Sequence, residues 1–352
     1  MPAVTDLTHV PSGCADENAV VDFLQGRMTA AARDALEVHV DRCASCRRVL
    51  SAMAQAQDRG TRATTDVICA TGSLPAALDG FLPVGEVVDR YVIRRAIGAG
   101  AMGVVYAARD PALERDVAIK VVKVASGDDL CAARVRLLSE ARALARLSHP
   151  NVVAVYDAGT HGQDMFIALE LFDGPNLRDW LRAAARRRAE VVEALIAAGR
   201  GLAAAHAAGI VHCDVKPENV VIAHGGRVAI ADFGLAVLRD RPDERSRASA
   251  VVGTPAYMSP EQLWAQPSGP ASDQFSFAVM AYEALFGVHP FGGRTLAERR
   301  RAVERGPPRA CGPLSRALRR ALHADPAARY PSIDALLAAL FRASRGVRRL
   351  SR

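Results

Sequence analysis

The sequence predicts an α+β protein with a strand-rich lobe and a helix-rich lobe, preceded by a small all-α module. Alternating apolar residues flank a glycine-rich turn between Tyr91 and Val124, which is typical of strands. Helical periodicity then predicts five helices, at Leu130–Leu147, Leu177–Ala208, Ser272–Phe286, Leu314–His323 and Ile333–Phe341. A strand-rich part followed by a helix-rich part indicates two lobes. The predicted divisions are a helical module at 1–55, a flexible linker at 56–87, the two-lobed domain at 88–342 and a basic tail at 343–352.

The composition is ordinary for a soluble globular protein, since 50% of the 352 residues are apolar and 24% are charged. The sequence contains no apolar run of the roughly 18 residues that a membrane helix needs, so no membrane anchor is expected. The first residues lack a basic region followed by an apolar stretch, which argues against a secretory signal. We therefore predict a cytoplasmic protein with no sensor domain or anchor after the second lobe.

The net charge of +7 comes largely from arginine clusters at 186–188, at 299–301 and in the tail. No aromatic residues interleave with these arginines, so solvated helix faces explain them better than nucleic-acid binding does. The seven cysteines are an odd number, which argues against a disulfide framework. Cys14, Cys43 and Cys46 all lie near the N-terminus, which suggests a metal site instead.

The N-terminal module is predicted to contain three short helices. The first covers residues 15–25 and stops at a glycine, and Thr29 caps the second. The second helix places His39 and Cys43 four residues apart, on the same face. A third helix begins near Cys46. Residues 56–86 have weak periodicity and are rich in Ala, Thr, Gly and Pro, which favours a linker.

Four residues of this module form a candidate metal site. His39, Cys43 and Cys46 are joined by Cys14 from upstream, and these four soft ligands suit tetrahedral Zn²⁺. The module is too small to hold a core alone, so metal binding is expected to supply much of its folding energy. The alternatives are buried cysteines with a surface histidine, or a redox pair of thiols. His9 is a weaker ligand candidate than Cys14.

The segment FLQGRMTAAARDALEVHVDRCASCRRVL, with its HxxxCxxC pattern, resembles the zinc-binding domain of bacterial anti-sigma factors. The resemblance covers about the first 50 residues of the chain. It implies a three-helix zinc module that binds a protein partner or senses thiol oxidation.

The second candidate site begins at a glycine-rich loop in which backbone N–H groups can approach phosphate oxygens without Cβ clashes. A dinucleotide-binding loop is the alternative, but it predicts a helix after the glycines, and here strands follow and end in VAIK at Lys120. Lys120 is predicted to hold the α- and β-phosphates, positioned by the helical carboxylate of Glu140. The loop consists of Ile97, Gly98, Ala99, Gly100, Ala101, Met102, Gly103, Val104 and Val105.

Polar residues suited to phosphoryl transfer lie in GIVHCDVKPENVVI and in the following DFG. Asp214 can accept or orient a hydroxyl proton, and Lys216 can neutralise the moving phosphoryl group. Asn219 and Asp232 can each hold a Mg²⁺, since their oxygens and bound phosphates suit its octahedral coordination.

The order of these motifs, from the glycine-rich loop through VAIK, HCDVKPEN and DFG to GTPAYMSPE, resembles a bacterial eukaryotic-like (Hanks-type) Ser/Thr protein kinase over residues 88–342. The resemblance implies the bilobal kinase fold, ATP and Mg²⁺ as cofactors, protein Ser/Thr hydroxyls as substrates and activity of the non-specific Ser/Thr kinase type. A homodimer is also common in this family. The nucleotide pocket that it implies adds Ala118, the gatekeeper Leu169, and the adenine-binding hinge formed by the backbone of Glu170 and Phe172.

The resemblance also assigns supporting roles. Asp273 matches the aspartate that anchors the catalytic loop, and Glu261 with Arg329 matches a buried ion pair. Thr254 matches the residue that faces a substrate hydroxyl, which favours protein substrates over small metabolites. The competing class is a kinase-like binding scaffold fused to the zinc module, but the intact Asp214, Asn219 and Asp232 argue against it.

Two positions depart from the pattern of the family. Cys213 stands where many members have an arginine that contacts a phosphate on the activation segment. We therefore expect activity that does not depend strictly on phosphorylation of Ser246 or Ser249. A thiol switch at Cys213 is the less favoured interpretation. Ser259 replaces the usual alanine before Pro-Glu, which we interpret as a mild change.

Overall fold

The computed structural model describes residues 81–100, 103–122, 130–233, 256–293, 295–309 and 312–350, together with Arg33 and Val38. The chain divides into two units, Met1–Thr65 and Asp66–Arg352. In the first unit only Arg33 and Val38 are described, and both are helical. The fold below is that of the second unit.

The first lobe is built on a six-stranded sheet in the order β1-β2-β3-β4-β6-β5, with antiparallel neighbours throughout. Alternation along the strands gives the sheet two apolar faces. Ile93, Tyr106 and Ile119 lie on one face, and Val105 and Ala118 lie on the other. The strands are β1 (Val87–Val88), β2 (Tyr91–Gly100), β3 (Gly103–Asp110), β4 (Arg115–Val122), β5 (Val155–His161) and β6 (Asp164–Glu170).

One helix belongs to this lobe and covers the second face of the sheet. Helix α1 (Leu130–Ala145) contributes the buried Leu137, which packs in the same cluster as Val105 and Ala118. The predicted helix at 130–147 is therefore confirmed to within two residues.

The second lobe is mainly helical and, in its described part, also contains the short β7–β8 hairpin. Its core gathers apolar side chains from most of these elements, including Leu202, Phe277 and Leu336, which are fully buried. The elements are α2 (Leu177–Ala183), α3 (Arg188–Ala207), a 3₁₀ turn (Pro217–Asn219), β7 (Val220–Ile222), β8 (Val228–Ile230), α4 (Pro260–Leu263), α5 (Pro270–Phe286), α6 (Leu296–Glu304), α7 (Pro313–Ala321), a second 3₁₀ turn (Pro326–Ala328) and α8 (Ile333–Leu350).

The single helix predicted at 177–208 is wrong, because the chain forms two helices there. Asn176 caps α2 by accepting from the Asp179 N–H at 2.9 Å, and Ala184 then turns to extended backbone, which ends α2. Helix α3 restarts where Glu190 accepts from the Arg187 N–H at 3.0 Å. The intervening Ala and Arg residues are good helix formers, so local propensity gave no sign of the break.

Other predicted elements agree with the structure except at their ends. Helix α5 begins two residues before the predicted start, α7 ends two residues earlier, and α8 continues to Leu350. Strands β2, β3 and β4 match the predicted alternation, whereas the hairpins β5–β6 and β7–β8 were not predicted. None of the described helices is long and apolar enough to cross a bilayer.

Candidate active site

The residues predicted to line the nucleotide pocket lie where β2, β3, β4 and β6 are side by side. Ile97, Val105, Ala118 and Leu169 are all buried and belong to one apolar cluster. In the register, Val105 lies opposite Lys120, and Ala118 lies opposite Leu169. Because side chains alternate along a strand, Ala118 and Lys120 share a face of β4. These apolar side chains therefore lie on the same face of the sheet as Lys120.

The glycine-rich loop is the turn of the β2–β3 hairpin, with Gly98 opposite Val105 and Gly100 opposite Gly103. Gly103 has a φ of +137°, and a Cβ there would lie 1.9 Å from the carbonyl oxygen of Val121. Only glycine allows this close approach of two backbones. Ala99 pairs with Val104 in the same hairpin. Ala101 and Met102 lie outside the described residues.

The segment after β6, predicted as the adenine-binding hinge, is fixed from the second lobe. The Glu170 N–H donates to the Ala154 carbonyl at 2.9 Å, and its carboxylate forms a two-point ion pair with Arg227, at 2.9 Å for the Nη2–Oε2 bond. The Arg227 guanidinium also lies 4.8 Å from the ring centre of the buried Phe172. The hinge thus has a defined position relative to both lobes.

Lys120 forms an ion pair with Asp232, with 2.9 Å between Nζ and Oδ1. Both side chains are largely buried, so neither charge is strongly screened by solvent. Glu140 lies on α1 with intermediate burial, and its predicted pairing with Lys120 stays a prediction.

The predicted catalytic loop places its three polar side chains in contact. Lys216 Nζ lies 2.6 Å from Asp214 Oδ2. Asn219 Nδ2 donates to the Asp214 carbonyl at 2.8 Å and approaches its Oδ2 at 3.2 Å. The 3₁₀ turn starting at Pro217 makes these contacts possible, because it brings Asn219 back towards the start of the loop. Asp214 is thereby held by a cation on one side and an amide on the other.

Asp273, at the start of α5, anchors the backbone of this loop. Its carboxylate accepts from the His212 N–H at 2.7 Å and the Cys213 N–H at 2.8 Å. His206 Nε2, at the end of α3, lies 2.8 Å from the same group. Asp273 is 1% exposed, and the bonds that it accepts offset the cost of burying the carboxylate. This matches the anchoring role that the resemblance implies.

His212 connects the catalytic loop to the DFG segment. The Asp214 N–H donates to His212 Nδ1 at 3.2 Å, so Nε2 carries the proton and donates to the Ala231 carbonyl at 2.9 Å. The Ala231 N–H donates to the Asn219 carbonyl at 2.8 Å. Asn219 and Asp232, the two predicted Mg²⁺ ligands, are brought close in the fold by this backbone bond.

The donor set fits Mg²⁺ held jointly by protein and phosphates. Within the described residues there is no cluster of three or more His, Cys, Asp or Glu side chains that would hold a metal alone. Mg²⁺ usually takes only one or two side-chain ligands and completes its shell with waters and phosphate oxygens. Asp232 Oδ1 is buried, and no hydrogen bond of suitable angle reaches it from the described part of the chain. Lys120 Nζ lies 2.9 Å from this oxygen.

The predicted ion pair of the second lobe is present and fully buried. Arg329 donates to both carboxylate oxygens of Glu261 at 2.8 Å. Burial alone would raise the pKa of Glu261, but the bonds from Arg329 and Ser272 hold that pKa below its ordinary value. The pair fixes α4 against the start of α5 and the second 3₁₀ turn.

A second polar network was not predicted. Arg178 of α2 binds Glu218 of the catalytic loop and Tyr257, and the Tyr257 hydroxyl binds Glu283 of α5. Burial, followed by the bond to Glu283, raises the pKa of Tyr257 well above its ordinary value. These contacts link residues that are 26 to 79 positions apart in the sequence, so no local sequence pattern predicts them.

Ser259 and Gln262 form a further contact that the sequence analysis missed. The Gln262 side chain accepts from the Ser259 N–H at 2.9 Å and donates to the Cys213 carbonyl at 2.6 Å. Ser259 caps α4 in return, since its hydroxyl accepts from the Gln262 N–H at 3.3 Å. The S-x-x-Q spacing is the signature of a capping box, and it could have revealed the cap at Ser259 from the sequence. The substitution at Ser259 is thus part of a hydrogen-bonded unit.

The protein kinase domain profile matches residues 91–324. The chain belongs to the protein kinase family. Its match begins at β2 and ends just after α7, so it includes every described residue of the candidate active site.

Several bacterial relatives carry the same domain. The chain is 42% identical over 210 residues to serine/threonine-protein kinase PknL of Mycobacterium tuberculosis, covering 58% of this chain and 51% of that protein. It is 39% identical over 211 residues to PknA of the same organism, covering 58% and 48%. For PkaB of Streptomyces coelicolor the identity is 38% over 219 residues, covering 59% and 51%. The chain spans about half the length of the curated relatives it matches.

Other predicted sites lie outside the described residues. These are the activation-segment positions and the zinc ligands, namely Ser246, Ser249, Thr254, Cys14, His39, Cys43 and Cys46.

Proposed function

We propose that the chain is a Ser/Thr protein kinase that transfers the γ-phosphoryl group of ATP to protein hydroxyls. The observation that carries the proposal is the joint placement of two sets of groups. Asp214, Lys216 and Asn219 contact one another on a loop anchored by Asp273, while Lys120 and Asp232 meet beside the apolar pocket. The names of the relatives support Ser and Thr as acceptors.

The contacts of each group allow it a specific role in this reaction. Asp214 orients the substrate hydroxyl and accepts its proton as that oxygen bonds to the γ-phosphorus, while the bond from the γ-phosphorus to the bridging oxygen breaks and ADP leaves. Lys216, 2.6 Å from that carboxylate, is placed to stabilise charge on the transferred group. Lys120 positions the α- and β-phosphates. Asn219 and Asp232 would hold Mg²⁺, which would neutralise charge on the phosphates.

The decisive test is transfer of labelled phosphate from ATP and Mg²⁺ to the protein itself and to a generic basic protein. Asp214→Asn is expected to lower kcat by about 10²–10⁴-fold while ATP still binds, because general-base groups contribute on that order. Asp164→Asn, at the first residue of β6, is the matched control and should retain activity. No incorporation by the wild-type protein above the Asp214→Asn background, from protein that still binds ATP and zinc, would favour the binding-scaffold alternative.

We also propose that the N-terminal residues Cys14, His39, Cys43 and Cys46 bind one Zn²⁺ and that this module docks a protein partner or senses oxidation. The support is the ligand chemistry and the helical spacing in the sequence. Metal analysis of the purified full chain should give one zinc per chain, and Cys43→Ser should lose it. Full zinc content in Cys43→Ser would contradict this ligand set.

The influence of the module on catalysis has its own test. Residues 85–352 and the full chain should differ in rate or in substrate choice. Identical rates and substrates would remove the regulatory role. The cytoplasmic location and the homodimer remain predictions.

A further inference from the structure

We infer that Gln262 is a positioning residue for the phosphoryl-transfer site, because its side chain holds the peptide group that joins Cys213 to Asp214. The inference rests on the proposed kinase function and deepens it. Gln262 does not touch the reacting groups; it acts on them through one backbone carbonyl.

The peptide group between Cys213 and Asp214 is held on both sides. Its carbonyl oxygen accepts from Gln262 Nε2 at 2.6 Å, and its N–H donates to His212 Nδ1 at 3.2 Å. Because a peptide group is planar, two bonds at opposite ends fix its rotation about the chain. That rotation sets the direction in which the Asp214 side chain leaves the backbone.

The backbone needs this restraint, since Cys213 has a φ of +64°. A residue with a Cβ adopts this left-handed conformation at a cost and relaxes from it unless its surroundings hold it. Asp273 holds the N–H of Cys213 at 2.8 Å. Gln262 holds the carbonyl of the same residue, so the two contacts secure the conformation from both ends.

The orientation of the Gln262 amide is set by its partners. A backbone carbonyl only accepts and a backbone N–H only donates, so Nε2 must face Cys213 and Oε1 must face the Ser259 N–H, 2.9 Å away. The Ser259 hydroxyl adds a bond to the same Oε1 at 3.1 Å. Ser259 is fully buried, so the anchor of the amide is itself fixed.

The helix that carries Gln262 is rigidly placed. Glu261, the residue before Gln262, forms the buried ion pair with Arg329. The structure therefore contains a continuous series of contacts from that pair, through α4, to the backbone of Asp214. Residues 251–255, directly before this region, belong to the predicted activation segment and lie outside the described residues.

The test is Gln262→Glu, which keeps side-chain length and the acceptor towards Ser259 but places a carboxylate oxygen against the Cys213 carbonyl. We expect kcat to fall about 10- to 100-fold, since displacing a reacting group by about 1 Å costs on that order. The KM for ATP should stay within about twofold, because the Gln262 contacts do not involve the nucleotide pocket.

Gln274→Glu is the matched control, because the Gln274 amide also bridges backbone groups, at 3.0 Å to both the N–H and the carbonyl of Tyr330. It makes the same chemical change in the same lobe without contacting the catalytic loop. Its melting temperature should fall, while its kcat below the melting transition should stay near that of wild type. An equal kcat loss in Gln274→Glu would reduce the role of Gln262 to general stability and overturn the proposal.

A second variant keeps the test decisive if Gln262→Glu does not fold. Gln262→Met removes all three side-chain bonds without adding a charge and should show a similar loss of kcat. A kcat within about twofold of wild type in the methionine variant overturns the inference. Absence of phosphate transfer by the wild-type protein itself would instead remove the proposed function, so the two failures are distinguishable.

Discussion

Removing the carboxylate of Glu261 should strongly destabilise the second lobe. Arg329 is buried in full, and its five N–H groups are all used: two bonds to Glu261 at 2.8 Å, and three to the carbonyls of Ala271, His323 and Ala324 at 2.7 to 3.0 Å. In Glu261→Ala the guanidinium keeps its charge and its burial but loses its counterion and two acceptors.

Leaving one member of such a pair buried and unpaired costs about 3–5 kcal/mol. For a domain of this size, each kcal/mol lowers Tm by roughly 2–4 °C. The expected fall in Tm is therefore about 6–20 °C. Thermal unfolding followed by circular dichroism at pH 7 measures it directly. A change of less than about 2 °C would refute the reasoning.

The controls separate burial from charge pairing. Asp116→Ala removes a carboxylate from the exposed pairs with Arg94 and Arg109, and no resolvable change in Tm is expected, because solvent screens those contacts. Replacing both partners, as in Glu261→Leu with Arg329→Met, should recover much of the lost stability, since no buried charge then remains. A double variant less stable than Glu261→Ala would contradict this explanation.

Three further outcomes are expected. The folded-state pKa of Glu261 lies below its ordinary value, so its stabilising contribution is present above about pH 4.5 and lost as pH falls below it; in Glu261→Gln that acid-side loss should be smaller in urea titrations. Gly103→Ala should weaken ATP binding about tenfold or more, whereas Gly225→Ala, whose Cβ would meet no atom within 4 Å, should not. Ser246→Ala combined with Ser249→Ala should leave activity intact, because Cys213 cannot bind a phosphate as an arginine does; a large loss would contradict this.

The parts of the fold that could be predicted are those encoded locally. Strands β2, β3 and β4 were found because apolar alternation is a property of a few neighbouring residues. The spacing of Asp214, Lys216 and Asn219 was similarly informative, because one 3₁₀ turn brings them into contact. The break between α2 and α3 was missed because its residues favour helix and only the end caps reveal it.

Contacts between distant segments could not be predicted from the residues alone. Lys120 meets Asp232 across the two lobes, and the Gln262 bond to Cys213 spans 49 positions. The S-x-x-Q pattern predicts the local cap at Ser259, but not that the same glutamine has a second partner. The interpretation of Ser259 as a mild change rested on comparison with alanine and left out its hydrogen bonds.

The geometry around Cys213 explains how the loop can be formed without the arginine that many kinases have there. The left-handed conformation is held by two backbone bonds, from its N–H to Asp273 and from its carbonyl to Gln262. Neither bond involves the side chain at 213, and the penalty for a positive φ arises from the Cβ, which cysteine and arginine share. The backbone that carries Asp214 is therefore held by Asp273 and Gln262 whichever residue stands at 213. A change of residue 213 can then alter the control of the activation segment without displacing Asp214.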